Sequence, residues 1–382
     1  MNREESDKHV CFVANSTLWS ENIGGAEVQS YLLASELARR GWNVTYATPQ
    51  DSTLSREQRE RVQPMKLSEF PVGKMKSAID VFKVIRHLGA INADVYYQRG
   101  ENVLTFPAAC AAKLRHAKFL WASSMDVDCG PGKFWKRLRD KFVFYDPRSL
   151  AGGLNAKIKD RVNAWSKKSA DLVLVQTEAN RQRVADSYGI DAHIFPTVHA
   201  LPNATVEKES PPVVLWLASL KEWKRPELFI ALARDCQDIH ARFILAGRTV
   251  SRKYPDTLLR MMEGLENIQY AGPLSFHESE TLIGKASIFV NTSEAQEGFP
   301  NTFIQSWMQG TLVLSLEVDP DGYLMDRGLG FKCDSVENMA QKIKELLSSG
   351  SLSVKSEEIR NFARENFIIS NYIQRFESFL IR

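Results

Sequence analysis

This chain of 382 residues lacks long apolar runs. Its N-terminus is strongly charged, and the short apolar stretch that follows, His9 to Ala14, breaks at Asn15 and Ser16. That is too short for the core of a signal peptide and far below the roughly 20 apolar residues that span a bilayer. No later stretch approaches that length, so a cytoplasmic protein that does not cross a membrane is expected. Cysteine is scarce: Cys11, Cys110, Cys129, Cys236 and Cys333 are far apart and odd in number. Without a CxxC or a Cys/His cluster, neither a disulfide framework nor a thiolate metal site is expected, and reduced thiols fit best. His193, His199, His240 and His277 show neither triad nor metal spacing. An excess of one charge is missing too. The net charge of +3 is too mild to imply nucleic acid as a partner. No internal repeat or low-complexity tract is visible.

What is present is a regular alternation. Hydrophobic residues are 44% of the chain and charged residues 25%, which allows full cores and argues against general disorder. The length suits two domains. Short apolar runs at Val10–Ala14, Val44–Ala47, Val95–Tyr97, Phe119–Ala122 and Leu172–Val175 read as strands. They are continuous rather than alternating, as in strands covered on both faces. Between them lie helical patterns, clearest at Ala26–Arg40 with Gly41 as a stop. This rhythm predicts a doubly wound parallel α/β sheet. It breaks at Leu201–Ala204 and through the charged, proline-bearing stretch Glu207–Pro212. It then restarts, with strands at Val213–Ala218, Phe243–Ala246, Ile268–Ala271, Ile288–Val290 and Leu312–Ser315. Helices are expected at Leu228–Cys236, Leu258–Gly264, Glu278–Lys285, Thr302–Gln309 and Val336–Leu347. Two Rossmann-like domains, 1–204 and 205–365, would leave a cleft at their strand C-terminal ends, where ligands bind in such sheets. The amphipathic segment Ile359–Leu380 reads as a final helix of the second domain or, over about 366–382, as a helix that returns to cap the first.

Two turns in this scheme carry chemistry. Gly24 and Gly25 follow the first strand and open a helix, where backbone N–H groups and the positive helix end favour a diphosphate. The pair is neither GxGxxG nor a P-loop, and a plain loop fits it equally well. In the second half, segment 293–302 leads from a strand into a helix beginning near Pro300 or Asn301, residues that suit a first turn and a cap. Its free N–H groups would hold a phosphate. Glu297 sits just ahead of that end with Gly298 and Phe299, Thr302 lies in the first turn, and Gln305 is one turn further in, where its amide reaches a ribose. The plainer alternative is a β–turn–helix with a solvated glutamate, but a Glu-Gly-Phe-Pro turn at a cleft mouth is unusual for a mere connection.

On these residues the second half resembles glycosyltransferase family 4, whose mark is a glutamate, seven residues, then a second glutamate, with Gly-Phe after the first. Glu297 matches the first; Gln305 stands at the second, a departure that removes a charge. Segment 218–226 resembles the family's Gly-Arg-Leu-x-x-x-Lys-Gly stretch, with Lys224 on the diphosphate lysine and Ser219 in place of the arginine. Lys221, Arg225 or Arg248 would cover that lost charge. Composition alone makes 221–225 a solvated turn; its place after the first strand of the second domain favours phosphate binding. Gly24 and Gly25 match the family's N-terminal phosphate loop. The resemblance implies a GT-B fold and a retaining hexosyl-type glycosyltransferase that needs no metal or other cofactor beyond its nucleotide-sugar substrate. It implies catalytic Glu297 and Lys224, and a donor-binding set of Gly24, Gly25, Ser219, Arg225, Gly247, Arg248, Leu274, Gly298, Phe299, Pro300, Asn301, Thr302 and Gln305.

Three further features carry weaker signals. Asp126 and Asp128 resemble a metal-holding Asp-x-Asp, as do Asp319 and Asp321, but turn-capping aspartates explain both pairs better. Asp126, after a strand end, is a candidate for orienting an acceptor hydroxyl. Arg99 ends a strand on the cleft side, where phosphate contact and a structural salt bridge are equally open. Between Lys133 and Lys168 basic residues and aromatics interleave, including Lys136, Arg137, Arg139, Trp165 and Lys167. That pattern fits an anionic membrane surface or an ordinary solvated helix, with nucleic acid well behind. The expected function is sugar transfer from a nucleotide-diphosphate donor to a hydroxyl of a glycan or lipid-linked glycan in cell-surface polysaccharide synthesis, on the inner face of the plasma membrane. A nucleotide-sugar epimerase and a non-catalytic nucleotide-sugar-binding partner are the alternatives.

Overall fold

The structure, a computed structural model, describes residues 8–20, 23–71, 77–133, 148–202, 204–249, 254–350 and 352–381. The chain forms two compact units, Met1–Pro196 with Tyr372–Arg382, and Thr197–Asn371. In chain order the first contains β1 (His9–Val13), α1 (Gly25–Arg39), β2 (Asn43–Pro49), α2 (Arg56–Glu60), β3 (Lys66–Phe70), α3 (Ala78–Ile91) and β4 (Val95–Arg99). It continues with α4 (Thr105–Leu114), β5 (Lys118–Ala122), α5 (Arg148–Lys168), β6 (Leu172–Val175), α6 (Glu178–Tyr188) and β7 (His193–Ile194). These strands form one parallel sheet in the order β3-β2-β1-β4-β5-β6-β7, which reverses between β1 and β4, the doubly wound arrangement. Apolar runs such as Val10–Val13 are buried along their length because helices cover both faces. Helix starts and stops follow local rules. Ser77 and Asp80 form a capping box on α3, Thr177 caps α6, and Gly189 ends it in a left-handed conformation.

The second unit repeats the scheme with β8 (Val213–Leu217), α7 (Pro226–Asp235), β9 (Arg242–Ala246), α8 (Tyr254–Met262), β10 (Ile268–Gly272), α9 (Phe276–Lys285) and β11 (Ile288–Asn291). It ends with α10 (Asn301–Met308), β12 (Leu312–Ser315), β13 (Gly330–Lys332), α11 (Val336–Ser348) and α12 (Leu352–Phe367). Its parallel sheet runs β10-β9-β8-β11-β12-β13. Trp216, Phe303 and Trp307 lie fully inside its core.

Two expectations need correction. The C-terminal segment is not one helix: α12 stops at Phe367 and α13 (Ile369–Ile381) begins after Ile368, which forms a parallel bridge with His199. His199 N–H donates to the Phe367 carbonyl and Ile369 N–H to that of His199, both at 2.9 Å. That pairing ties 197–202 to the second unit, so the divisions fall at Pro196/Thr197 and Asn371/Tyr372 rather than at 204 and about 366. Most of α13 packs on the first unit. Phe376 meets Phe12, Tyr97 and Phe195, and Glu377 accepts two bonds from Arg40, at 2.8 and 3.1 Å, and one from the Trp42 indole at 2.9 Å. The strands β3, β7 and β13 were not expected. β3 is a polar edge strand and the other two span only two or three residues, too little for an apolar pattern.

Candidate active site

Three neighbouring strands of the second unit, β9, β8 and β11, end beside one another, and the loops that follow them build the site. After β9, Gly247 has φ +143°, and a Cβ there would lie 1.7 Å from the Ala218 carbonyl oxygen, so only glycine lets these two loops approach. The Leu220 N–H donates to the Arg248 carbonyl at 2.7 Å and locks them together. Ser219 is half-buried in the first of these loops. One nitrogen of the Arg248 guanidinium, Nη1, is buried with no hydrogen-bond partner, a costly state that an anion would relieve.

After β11 the chain turns sharply into α10. Asn291, the last strand residue, accepts from the Ser293 N–H at 3.0 Å and donates to Glu297 Oε2 at 2.9 Å. Glu297 Oε1 takes the Lys224 ammonium, so strand end, turn and the β8 loop meet in one ion pair. Lys224 also lies over the Trp223 ring at 4.4 Å. Burial, with Lys221 adding to it, pushes the Lys224 ammonium well below the usual lysine range, and the Glu297 carboxylate works against that shift. Gly298 follows at φ +77°, and Phe299 is buried against Trp307, Tyr323 and Phe367, which anchors the turn. Pro300 precedes α10, and its side chain does not cap the helix. Gln305, one turn on, is half-buried. Leu274, between β10 and α9, packs on the core.

Arg225 is differently employed than expected. Its guanidinium donates to the carbonyls of Thr292 at 2.6 Å and Ser293 at 3.1 Å and pairs with Glu317 at 2.5 Å, so it braces the turn. Thr292 completes the brace: its hydroxyl bonds to the Lys224 and Arg225 carbonyls at 2.7 and 2.9 Å and accepts from the Trp216 indole at 2.9 Å.

The remaining expected residues lie in the first unit. Gly24 and Gly25 are exposed at the start of α1, and the Glu27 carboxylate leans back over Gly24, where a Cβ would come within 2.8 Å of Oε2. Asp126 faces Arg183 at 3.9 Å. Asp128 is fully buried and accepts from the Ser124 N–H and hydroxyl and the Met125 N–H, at 2.9, 2.8 and 3.1 Å, while pairing with Lys133. Burial alone would raise its pKa, but Lys133 and the Ser124 donors outweigh that and hold it below the ordinary aspartate range. It is a structural aspartate. Asp319 likewise accepts the Leu324 N–H at 2.8 Å. The basic stretch also needs correction: Lys133 and Lys167 are buried in ion pairs with Asp128 and Glu101. Lys136, Arg137 and Arg139 lie outside the described residues.

The family described as Glycosyl transferases group 1 matches residues 211–349, and that described as Glycosyl transferase 4-like domain matches residues 24–204. This chain is a GT-B glycosyltransferase. The glycosyltransferase is similar in fold to one from Rickettsia africae, at 15% identity and a TM-score of 0.71 over 98% of both chains. It is also similar to the HepE protein of Anabaena in complex with UDP-glucose, at 15% identity and a TM-score of 0.71 over 97% of this chain and 99% of that one. A third is the sucrose-phosphate synthase of Thermosynechococcus elongatus, at 14% identity and a TM-score of 0.72 over 97% and 98%. No curated protein sequence matches it.

The structure of the glycosyltransferase brings Lys224, Arg225, Glu297 and the Gly247 loop together; Gly24, Gly25 and Asp126 belong to the other unit. Sequence reasoning missed Asn291, Thr292 and Trp216. Asn291 and Thr292 carried one usable signal, polar residues at the end of an apolar strand in front of a sharp turn. Trp216, an indole inside a core strand, carried none.

Proposed function

We propose that this glycosyltransferase moves a sugar from a nucleotide-diphosphate donor to a hydroxyl of a glycan or lipid-linked glycan, with retention, in cell-surface polysaccharide synthesis. The observation that carries the reading is the Glu297 carboxylate, fixed by Asn291 and Lys224 just ahead of the start of α10. A carboxylate there steadies positive charge at the anomeric carbon, while Lys224, Arg248 and the helix N–H groups take the charge of the departing diphosphate. The bond from the anomeric carbon to the diphosphate oxygen breaks, the acceptor oxygen bonds on the same face, and the diphosphate oxygen takes the acceptor proton. In this reading cations and helix dipole meet the diphosphate charge without a metal. Asp126 is proposed to orient the acceptor hydroxyl. The complex of the Anabaena protein with UDP-glucose supports a nucleotide sugar as donor.

The test is incubation with labelled nucleotide sugars and a bacterial membrane extract, with and without EDTA. Label should enter glycan in the retained anomeric configuration, and EDTA should leave the rate unchanged. Interconversion of nucleotide sugars with no acceptor would make the protein an epimerase. Binding with no transfer would make it a partner protein.

A membrane contact is supported by the part of the basic and aromatic stretch that lies on α5. Leu154, Ile158 and Trp165 are exposed on one face of α5, with exposed Lys157, Arg161 and Lys168 beside them. Apolar side chains flanked by cations suit an anionic headgroup layer. We expect co-sedimentation with phosphatidylglycerol vesicles that weakens as salt rises. Binding unaltered by reversing the charges of Lys157, Arg161 and Lys168 would exclude this face.

A further inference from the structure

The second unit holds a group of cations at the far end of α10 from the Glu297 turn. The helix is about 12 Å long, and Gln309, Gly310 and Thr311 follow it on the side of the sheet where β12 and β8 begin. Lys208, from the segment before β8, donates from Nζ to the Thr311 hydroxyl at 2.5 Å. Arg360 of α12 reaches the Gln309 carbonyl and the Ser356 hydroxyl only at 3.4 Å. Gly310 lets α12 come close: a Cβ there would lie 2.4 Å from the Ser356 carbonyl oxygen and 3.0 Å from Arg360 Nη2. Arg364, one turn further along α12, makes no hydrogen bond or ion pair among the described residues. The Nε atoms of both arginines are buried without partners.

Among the described residues no carboxylate answers these charges. Glu209 is held by Arg242 and Lys285, each at 3.0 Å. Glu207, Glu357 and Glu358 are exposed and pair with none of the cations. Burial and the Arg360 charge push the Lys208 ammonium down to about 7, a cost that a bound anion would reverse. Lys208, Arg360 and Arg364 are all half-buried, so a small ligand can reach them. Thr311 takes one ammonium N–H and leaves the others, and a guanidinium donates but never accepts. Donors of this kind suit the oxygens of a phosphoryl group, which an arginine fork binds bidentately. Glu357, Glu358 and Glu365, exposed on α12, repel an anionic bilayer, which favours a soluble phosphate over a lipid headgroup. We infer that Lys208 and Arg360, with Arg364 one turn along, form a site for a small phosphate-bearing molecule, separate from the Glu297 turn at the start of α10.

The experiment is acetylation of the full chain with acetic anhydride, in inorganic phosphate and in chloride of equal ionic strength, with each lysine followed by mass spectrometry. About 10 mM phosphate should slow the labelling of Lys208 about sixfold, the protection 1 + [L]/Kd for a Kd of about 2 mM. Exposed Lys332 should react alike in both salts. Arg360→Gln should reduce the protection of Lys208 to less than about twofold on the same scale. Because Lys208 itself is read, phosphate bound near Lys224 does not enter the result. A wild-type Lys208 that phosphate leaves unprotected would overturn the site, and that arm decides even if the variant fails to fold. Protection unchanged in a folded Arg360→Gln chain would overturn it too. Protection by phosphatidylglycerol vesicles but not by free phosphate would overturn the assignment to a soluble ligand. Each of these failures leaves sugar transfer standing.

Discussion

Glu297→Gln should cut sugar transfer by roughly a thousandfold or more, the scale on which loss of a preorganised electrostatic group is felt. The substitution keeps the size of the side chain and its bond from Asn291, so the turn into α10 should stay in place. What disappears is the negative charge facing both the donor and Lys224. The loss should fall on kcat more than on KM, because the charge matters most when positive character develops at the anomeric carbon. Stability should fall as well, in a pH-dependent way. Burial already depresses the Lys224 pKa, and without Glu297 it falls further, so the folded state holds fewer protons than the unfolded chain below the free lysine pKa. Stability of the variant relative to wild type should therefore drop as pH is lowered below the ordinary lysine range, readable by thermal melts at a series of pH values. Turnover within about tenfold of wild type would remove Glu297 from the mechanism.

The second large effect is expected far from chemistry. In the first unit Lys167 is 1% exposed and donates to Glu101 at 2.8 Å, the Asp128 carbonyl at 2.8 Å and the Tyr188 hydroxyl at 2.9 Å, beneath the Trp121 ring. Lys167→Met leaves the buried Glu101 carboxylate and two further acceptors without their donor. Breaking one side of a buried pair costs about 3–5 kcal/mol, which for a unit of this size is about 10 °C in Tm. Lys167→Met combined with Glu101→Gln should recover part of the loss, since no unpaired charge then remains. Calorimetry of the three proteins checks this. A single variant that melts with wild type would show that the pair contributes nothing.

These two sites were unequally legible in the sequence. Glu297 was readable because its neighbours announce a turn: a glycine free to take φ +77°, an aromatic anchor, a proline before a helix. Lys224 was readable from its place after the first strand of the second half. Lys133 and Lys167 were misread because a lysine among basic residues normally faces water. The feature that buries Lys167, Glu101, is 66 residues away in sequence and comes beside it only through the sheet order. The brace that Arg225 makes was hidden for the same reason, since its partners, Thr292, Ser293 and Glu317, follow other strands. The break at Ile368 was invisible because the apolar period continues through it; the pairing with His199 that causes it is long-range.

The return of α13 sets an order of events during synthesis. The chain leaves the first unit at Pro196 and re-enters it at Tyr372. Until residues 376 and 377 emerge from the ribosome, Phe12, Tyr97 and Phe195 lack the Phe376 ring that packs on them, and Trp42 lacks its Glu377 acceptor. The half that is translated second can therefore close its core first. The half that is translated first stays unfinished, and a ribosome that stops early releases a protein whose defect lies at its beginning.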